Sequence, residues 1–225
     1  MRLLLVNPNT NATTTDAMVA IAQDSSPDNQ FVGLTAPFGV PLITGPDELA
    51  IAADAVATAL AMRMPSGISA VIIAAFGDPG LEAAAASIRV PVVGIAEAAM
   101  AEAGHGDRRF AVVTTTPDLV ASIAGLAGRY GHAETFLGTM LTKGDVHHVM
   151  ADKERLVQAL EAACHEAIAT LGAEAIVIGG GPLAAAARVL ASRLPVPLVE
   201  PIPAAVRLAE RRVMFQQHKG GRRAE

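Results

Sequence analysis

The sequence predicts an α/β protein built as two similar lobes, each around a parallel sheet, and three observations lead there. Short β-branched and leucine-rich runs alternate with longer alanine-rich segments of helical period, which is how strand–helix units on a parallel sheet are written. Three segments then return in the same order a little over a hundred positions on. LLLVN, followed by Pro8, Asn9 and Thr10, returns as FAVVTTT, followed by Pro117 and Asp118. VIIAAFGDPGL from Val71 returns as IVIGGGPLAAA from Ile176, and RVPVVGIAEAAM from Arg89 as RLPVPLVEPIPAAV from Arg193. Finally, 225 residues are enough for two lobes of about 100 residues, each with its own core.

Taken in order, strands are expected near Leu3–Val6, Phe31–Thr35, Ala70–Ala74, Val92–Val93 and Phe110–Thr114. Others follow near Thr135–Leu137, Ile176–Ile178 and Leu198–Val199. Helices are expected at Thr13–Gln23, Asp47–Met62, Leu81–Ile88, Ala96–Ala103, Asp118–Ala127, Lys153–Leu171, Leu183–Ser192 and Ala204–Val213. Their ends carry the right punctuation. Asn9, Thr10 and Asn11 can cap the first helix, Pro46 with Asp47 opens the second, and Thr116 with Pro117 and Asp118 opens the fifth. Gly104 and Gly172 are placed to close helices. The polar, basic segment QQHKGGRRAE from Gln216 is expected to fray. The repeat assigns residues 1–95 and 200–225 to a first Rossmann-like lobe and 96–199 to a second, pseudo-symmetric one. A ligand pocket is expected at the seam.

Composition narrows the function. Hydrophobic residues make up 52% and charged residues 17%, the balance of a folded globular chain. With 3% aromatics, no tryptophan and a net charge of −5, there is no basic stripe or stacking platform for nucleic acid. One cysteine, Cys164, rules out an internal disulfide and a cysteine-based zinc knuckle, and a cytoplasmic location is expected. The N-terminus has too short an apolar run for a signal peptide. No apolar run reaches the roughly 18 residues that span a bilayer.

Ligands of open parallel sheets sit outside the carboxyl ends of the strands, so the loops there are the candidates for chemistry. NPNTN offers Asn9 and Thr10 as neutral hydrogen-bonding groups for a carboxylate or ureide. Its counterpart TTTPD offers Thr114 and Thr115. In AAFGDPGL, Ala75 and Phe76 line the loop and Asp78 is either a helix cap or a general base. In GGGPL, the amides around Gly180, Gly181 and Pro182 could form an anion nest or oxyanion hole. The dinucleotide fingerprint, the phosphate-loop signature, G-x-S-x-G and H-E-x-x-H are all absent. His147 and His148 are adjacent and point apart, so no metal site is expected. Cys164 falls with Leu160, Ala167 and Ile168 on the apolar side of its helix, as a core residue would.

In this order the loops resemble the hydantoin racemase branch of the aspartate/glutamate racemase superfamily, which includes allantoin racemase, maleate isomerase and arylmalonate decarboxylase. The resemblance runs through RLLLVNPNT, TAPFG, FGDPGL, PVVGIAEAAM, FAVVTTT, GAEAIVIGG and PVPLVEPIPAAVRLAE, over nearly the whole chain. It implies two α/β lobes with the active site between them, no cofactor, and a small acidic or ureide substrate. It also implies one cysteine per lobe, since the planar intermediate must be reprotonated on the face opposite the one that lost its proton. Here Ala75 stands at the first cysteine's place and Gly180 at the second's. A methyl group and a hydrogen carry no ionisable proton.

The expectation is therefore a racemase-like, cofactor-independent protein with a pocket for a small carboxylate, cyclic imide or ureide and altered chemistry: an isomerase, lyase or hydrolase with Asp78 as candidate base. A non-catalytic small-acid binding protein is the alternative, and a true hydantoin racemase a further one. Alanine-rich helices pack closely and would suit a homo-oligomer, but no surface stripe marks an interface.

Overall fold

The computed structural model describes residues 1–221, with side-chain burial through His218. It contains two four-stranded parallel sheets of equivalent strand order, with helices on the connections. The chain divides into two compact units, each described in turn. One comprises Met1–Ile43, Asp47–Ile95 and the chain from Ile202; the other comprises Thr44–Pro46 and Ala96–Pro201.

In the first unit β1 (Arg2–Asn7) lies between β2 (Gln30–Thr35) and β3 (Ala70–Ile73), with β4 (Val92–Gly94) outside β3. Register is in step: Val6 stands opposite Leu34 and Ile73, and Ile73 opposite Gly94. Leu3, Leu4, Leu5 and Val6 are fully buried, as a strand covered on both faces requires. The helices are α1 (Ala12–Ser25), α2 (Pro46–Arg63), α3 (Leu81–Ser87) and α9 (Pro201–Gly221). Pro46 with Asp47 and Glu48 opens α2 and Arg63 closes it, each charge matched to the helix dipole.

In the second unit β5 (Phe110–Thr114) lies between β6 (Phe136–Leu141) and β7 (Ala175–Ile178), with β8 (Leu198–Val199) outside β7. Its helices are α4 (Ile95–Ala103), which begins on the last residue of the first unit, α5 (Val120–Arg129), α6 (Val146–Met150), α7 (Lys153–Leu171) and α8 (Ala184–Leu190). Asp152 caps α7 by accepting from the Arg155 amide at 2.8 Å, and Gly172 ends it in the left-handed conformation. Ala111, Val113, Ile176 and Ile178 pack with Val149, Leu160 and Cys164 into one core.

Three elements differ from the sequence reading. β6 extends to Leu141 rather than ending at Leu137. Gly138 sits inside it at a φ of 131°, and the pairing with β5 shifts register between Phe110 and Ala111. A glycine in a strand hides the alternation by which strands are recognised. The five-residue α6 was not foreseen, being too short to show a helical period. The C-terminal segment continues α9 from Gln216 to Gly221 instead of fraying, and residues 222–225 lie outside the described residues. Arg212 ties this helix down by donating to the Val92 carbonyl at 2.7 Å. Nothing in the sequence stops it before Gly220 and Gly221.

Candidate functional site

Within the first unit, β1 and β3 are neighbours in step, so the loops leaving their carboxyl ends share one edge of the sheet. The loop after β1 is held by Asn7, which is fully buried. Its Nδ2 donates to Asn9 Oδ1 at 2.8 Å, to the Asn11 carbonyl at 3.1 Å and to Thr15 Oγ1 at 3.0 Å. Its Oδ1 accepts from the Asn9 amide at 3.1 Å. Asn11, the third candidate cap, is the residue that caps α1, accepting from the Thr14 amide at 3.2 Å.

Asn9 is 4% exposed, and its Oδ1 accepts from both Asn7 Nδ2 and the Asn11 amide. Two donors fix that end as oxygen, so the other end is the NH2, which has no partner among the described residues. An unspent amide donor at a strand end, on a residue otherwise buried, suits a ligand carbonyl or carboxylate. Thr10 is half-buried, and its amide donates to the Val40 carbonyl at 3.0 Å.

The loop after β3 carries Ala75, partly exposed, and Phe76, buried. Asp78 donates its amide to the Ala75 carbonyl at 3.0 Å, which closes the turn. Asp78 has a φ of 46° and is 5% exposed. Its carboxylate lies directly over Gly94, so a methyl group added there would overlap it. Asp78 does not cap α3, whose N-cap is Gly80. The carboxylate stands at the residue before α4, where the helix dipole favours negative charge.

Within the second unit, β5 and β7 are likewise in step, with Val113 opposite Ile178. Thr114 donates its hydroxyl to the Gly179 carbonyl at 2.8 Å and lies 3.2 Å from Thr116 Oγ1. Its single proton is therefore spent on tying the two strand ends together. Thr115 is 4% exposed, and its hydroxyl has only Met150 Sδ, at 3.7 Å. Gly180 has φ 153° and ψ 130°, in a region that side-chain-bearing residues rarely adopt, and a Cβ there would stand 3.2 Å from Leu183 Cγ. Gly181, Pro182 and Leu183 form a 3-10 turn leading into α8. The glycine at position 180 is built into the loop's conformation, so more than a missing thiol separates it from a cysteine.

Cys164 cannot supply the missing chemistry. It is fully buried on α7, and burial, with Glu161 nearby, pushes its thiol up to about 12. A thiol with that pKa stays protonated near neutral pH and is neither base nor nucleophile. Among the described residues no group of three or more His, Cys, Asp or Glu is placed to hold a metal ion, and no helix is long and apolar enough to cross a membrane. Sequence reasoning named the NPNTN loop but did not single out Asn7, whose side chain organises it. Three asparagines stand in that loop, and residue type alone does not say which of them holds it together.

The profile of the Asp/Glu/Hydantoin racemase family matches residues 3–209. The hydantoin racemase of Paenarthrobacter aurescens is 31% identical over 215 residues, covering 93% of this chain and 90% of its own. The solved allantoin racemase from Klebsiella pneumoniae superimposes with a TM-score of 0.89 at 33% identity, over 96% of this chain and 89% of its own. That from Pseudomonas fluorescens does so with a TM-score of 0.89 at 32% identity, over 96% and 92%.

Proposed function

Since the chain belongs to the Asp/Glu/hydantoin racemase family, we propose that it binds a small ureide, cyclic imide or carboxylate without a cofactor and turns it over by a route other than two-thiol proton transfer. The observation that carries this reading is the pair Ala75 and Gly180 at the places where the family resemblance puts cysteines, with the one cysteine of the chain buried in α7. What remains at the strand ends is a set of neutral donors. Asn9 Nδ2 suits a ligand oxygen, and the amides of the Gly180–Gly181 turn suit an oxyanion.

The candidate base is Asp78, acting on a ligand held by these loops in an isomerase, lyase or hydrolase reaction. Asp78→Asn keeps the shape and tolerates a positive φ, but cannot take up a proton. Incubating a panel of hydantoins, allantoin and substituted malonates with protein and following them by proton NMR tests the assignment. Turnover in the parent and its loss in Asp78→Asn, at an unchanged melting temperature, is the expected result. Equal turnover in the two proteins removes Asp78 from the mechanism.

One observation favours a second reading, a non-catalytic binding protein. The Asp78 carboxylate packs on Gly94 at the start of α4, where it has a structural task. Binding of a ureide or dicarboxylate by calorimetry, with no solvent deuterium entering the ligand, is the signature of that case.

A further inference from the structure

Between α9 and the segment that joins α3 to β4 lies a cleft of about 530 Å3, wholly within the first unit. Its residues reach the amino end of β4, at Val92. β4 runs parallel to β3 and β3 to β1, so the cleft is at the other edge of the sheet from the loops that leave their carboxyl ends. Small-molecule sites commonly enclose roughly 300–1,000 Å3, and this cleft is of that size. Ile88 and Pro91 supply apolar surface on one side and Phe215, 61% exposed, on the other.

Three guanidiniums line the cleft, those of Arg89, Arg211 and Arg212, and no carboxylate does. The chain as a whole carries −5, so this concentration of positive charge is local. Arg212 is held in place by its 2.7 Å bond to the Val92 carbonyl. Arg89 and Arg211 are exposed and make no hydrogen bond or ion pair among the described residues. Like charges gathered in one cleft repel, and a multiply charged anion among them turns that repulsion into attraction. Arg211 and Phe215 stand four residues apart on α9, neighbours on one helix face, so a cation and an aromatic ring are presented together.

We propose that this cleft is a second ligand site, separate from the loops at the carboxyl ends of the strands, and that it takes a small phosphate monoester bearing an aromatic ring. The guanidinium forks of Arg89 and Arg211 match phosphate oxygens, and a dianion offsets two of the three positive charges. The ring covers the apolar surface of Pro91 and Phe215. A carboxylate offsets only one charge, and inorganic phosphate leaves the apolar surface open to water. Nothing in this site depends on the reaction at the strand ends.

Calorimetric titration of the full chain with phenyl phosphate, benzoate and inorganic phosphate tests it. Wild type should bind phenyl phosphate saturably, about tenfold or more tighter than either of the other two anions. Arg89→Gln and Arg211→Gln should each lose about tenfold for phenyl phosphate, one charge-assisted hydrogen bond's worth at a half-open site. Phe215→Ala should bring phenyl phosphate down to the affinity of inorganic phosphate. The three side chains are exposed, so these variants should melt with wild type. Arg129→Gln, the same loss of charge on exposed surface of the second unit, should bind as wild type does. No saturable binding of phenyl phosphate, equal affinity for all three anions, undiminished binding in Arg89→Gln and Arg211→Gln, or an equal loss in Arg129→Gln overturns the site.

Discussion

Asn7→Asp should lose about 4 kcal/mol of folding free energy, the largest effect expected from a single-atom change in this chain. The Asn7 NH2 is the shared donor for Asn9 Oδ1, the Asn11 carbonyl and Thr15 Oγ1, in a place with no exposure. A carboxylate oxygen there faces acceptors and has no cation beside it. Asn9 cannot relieve the conflict by flipping, because its Oδ1 also accepts from the Asn11 amide. Thr15 is tied elsewhere too, through a 2.7 Å bond to Thr35. Urea denaturation measures the loss directly. Part of it should return on acidification, since a protonated Asp becomes a donor again and the folded state then binds the extra proton. A variant as stable as wild type would mean that the loop does not depend on this donor.

Gly94→Ala should cost about 3 kcal/mol, or roughly 6–12 °C in melting temperature for a chain of this size. The added methyl group overlaps the buried Asp78 carboxylate itself, not the end of a long, movable side chain. A double-mutant cycle isolates the cause. Asp78→Gly removes the carboxylate and suits the 46° φ, so Gly94→Ala added to Asp78→Gly should cost far less than Gly94→Ala alone. Additive losses would show that the clash lies elsewhere.

Much of the fold was legible because parallel strands buried on both faces are written as unbroken apolar runs. LLLV, AVII and AIVI needed no context, and the repeated segments fall on β1 and β5, β3 and β7, and β4 and β8, equivalent strands of the two sheets. β6 was half-missed because Gly138 interrupts its pattern, and α6 because five residues cannot display a period. At the strand ends the sequence located the loops but not the use of each polar group. Thr114 and Thr115 look alike in TTTPD, yet one hydroxyl is spent on Gly179 and the other meets only a sulfur. Asp78 precedes α3 in sequence but lies on Gly94 before α4, a placement set by the strand pairing of β3 and β4. Which buried hydroxyl lacks a partner depends on the whole packing, and no local pattern carries it.

This family member is expected not to racemise by two thiols, since Ala75 and Gly180 hold no proton to give and the thiol of buried Cys164 is pushed up to about 12. Polarimetry of an optically pure 5-substituted hydantoin, against a buffer control for spontaneous exchange, tests it most directly. The predicted result is that any protein-dependent change of rotation is the same in Cys164→Ala as in wild type, because the one thiol of the chain takes no part. A protein-dependent decay that Cys164→Ala abolishes would contradict it.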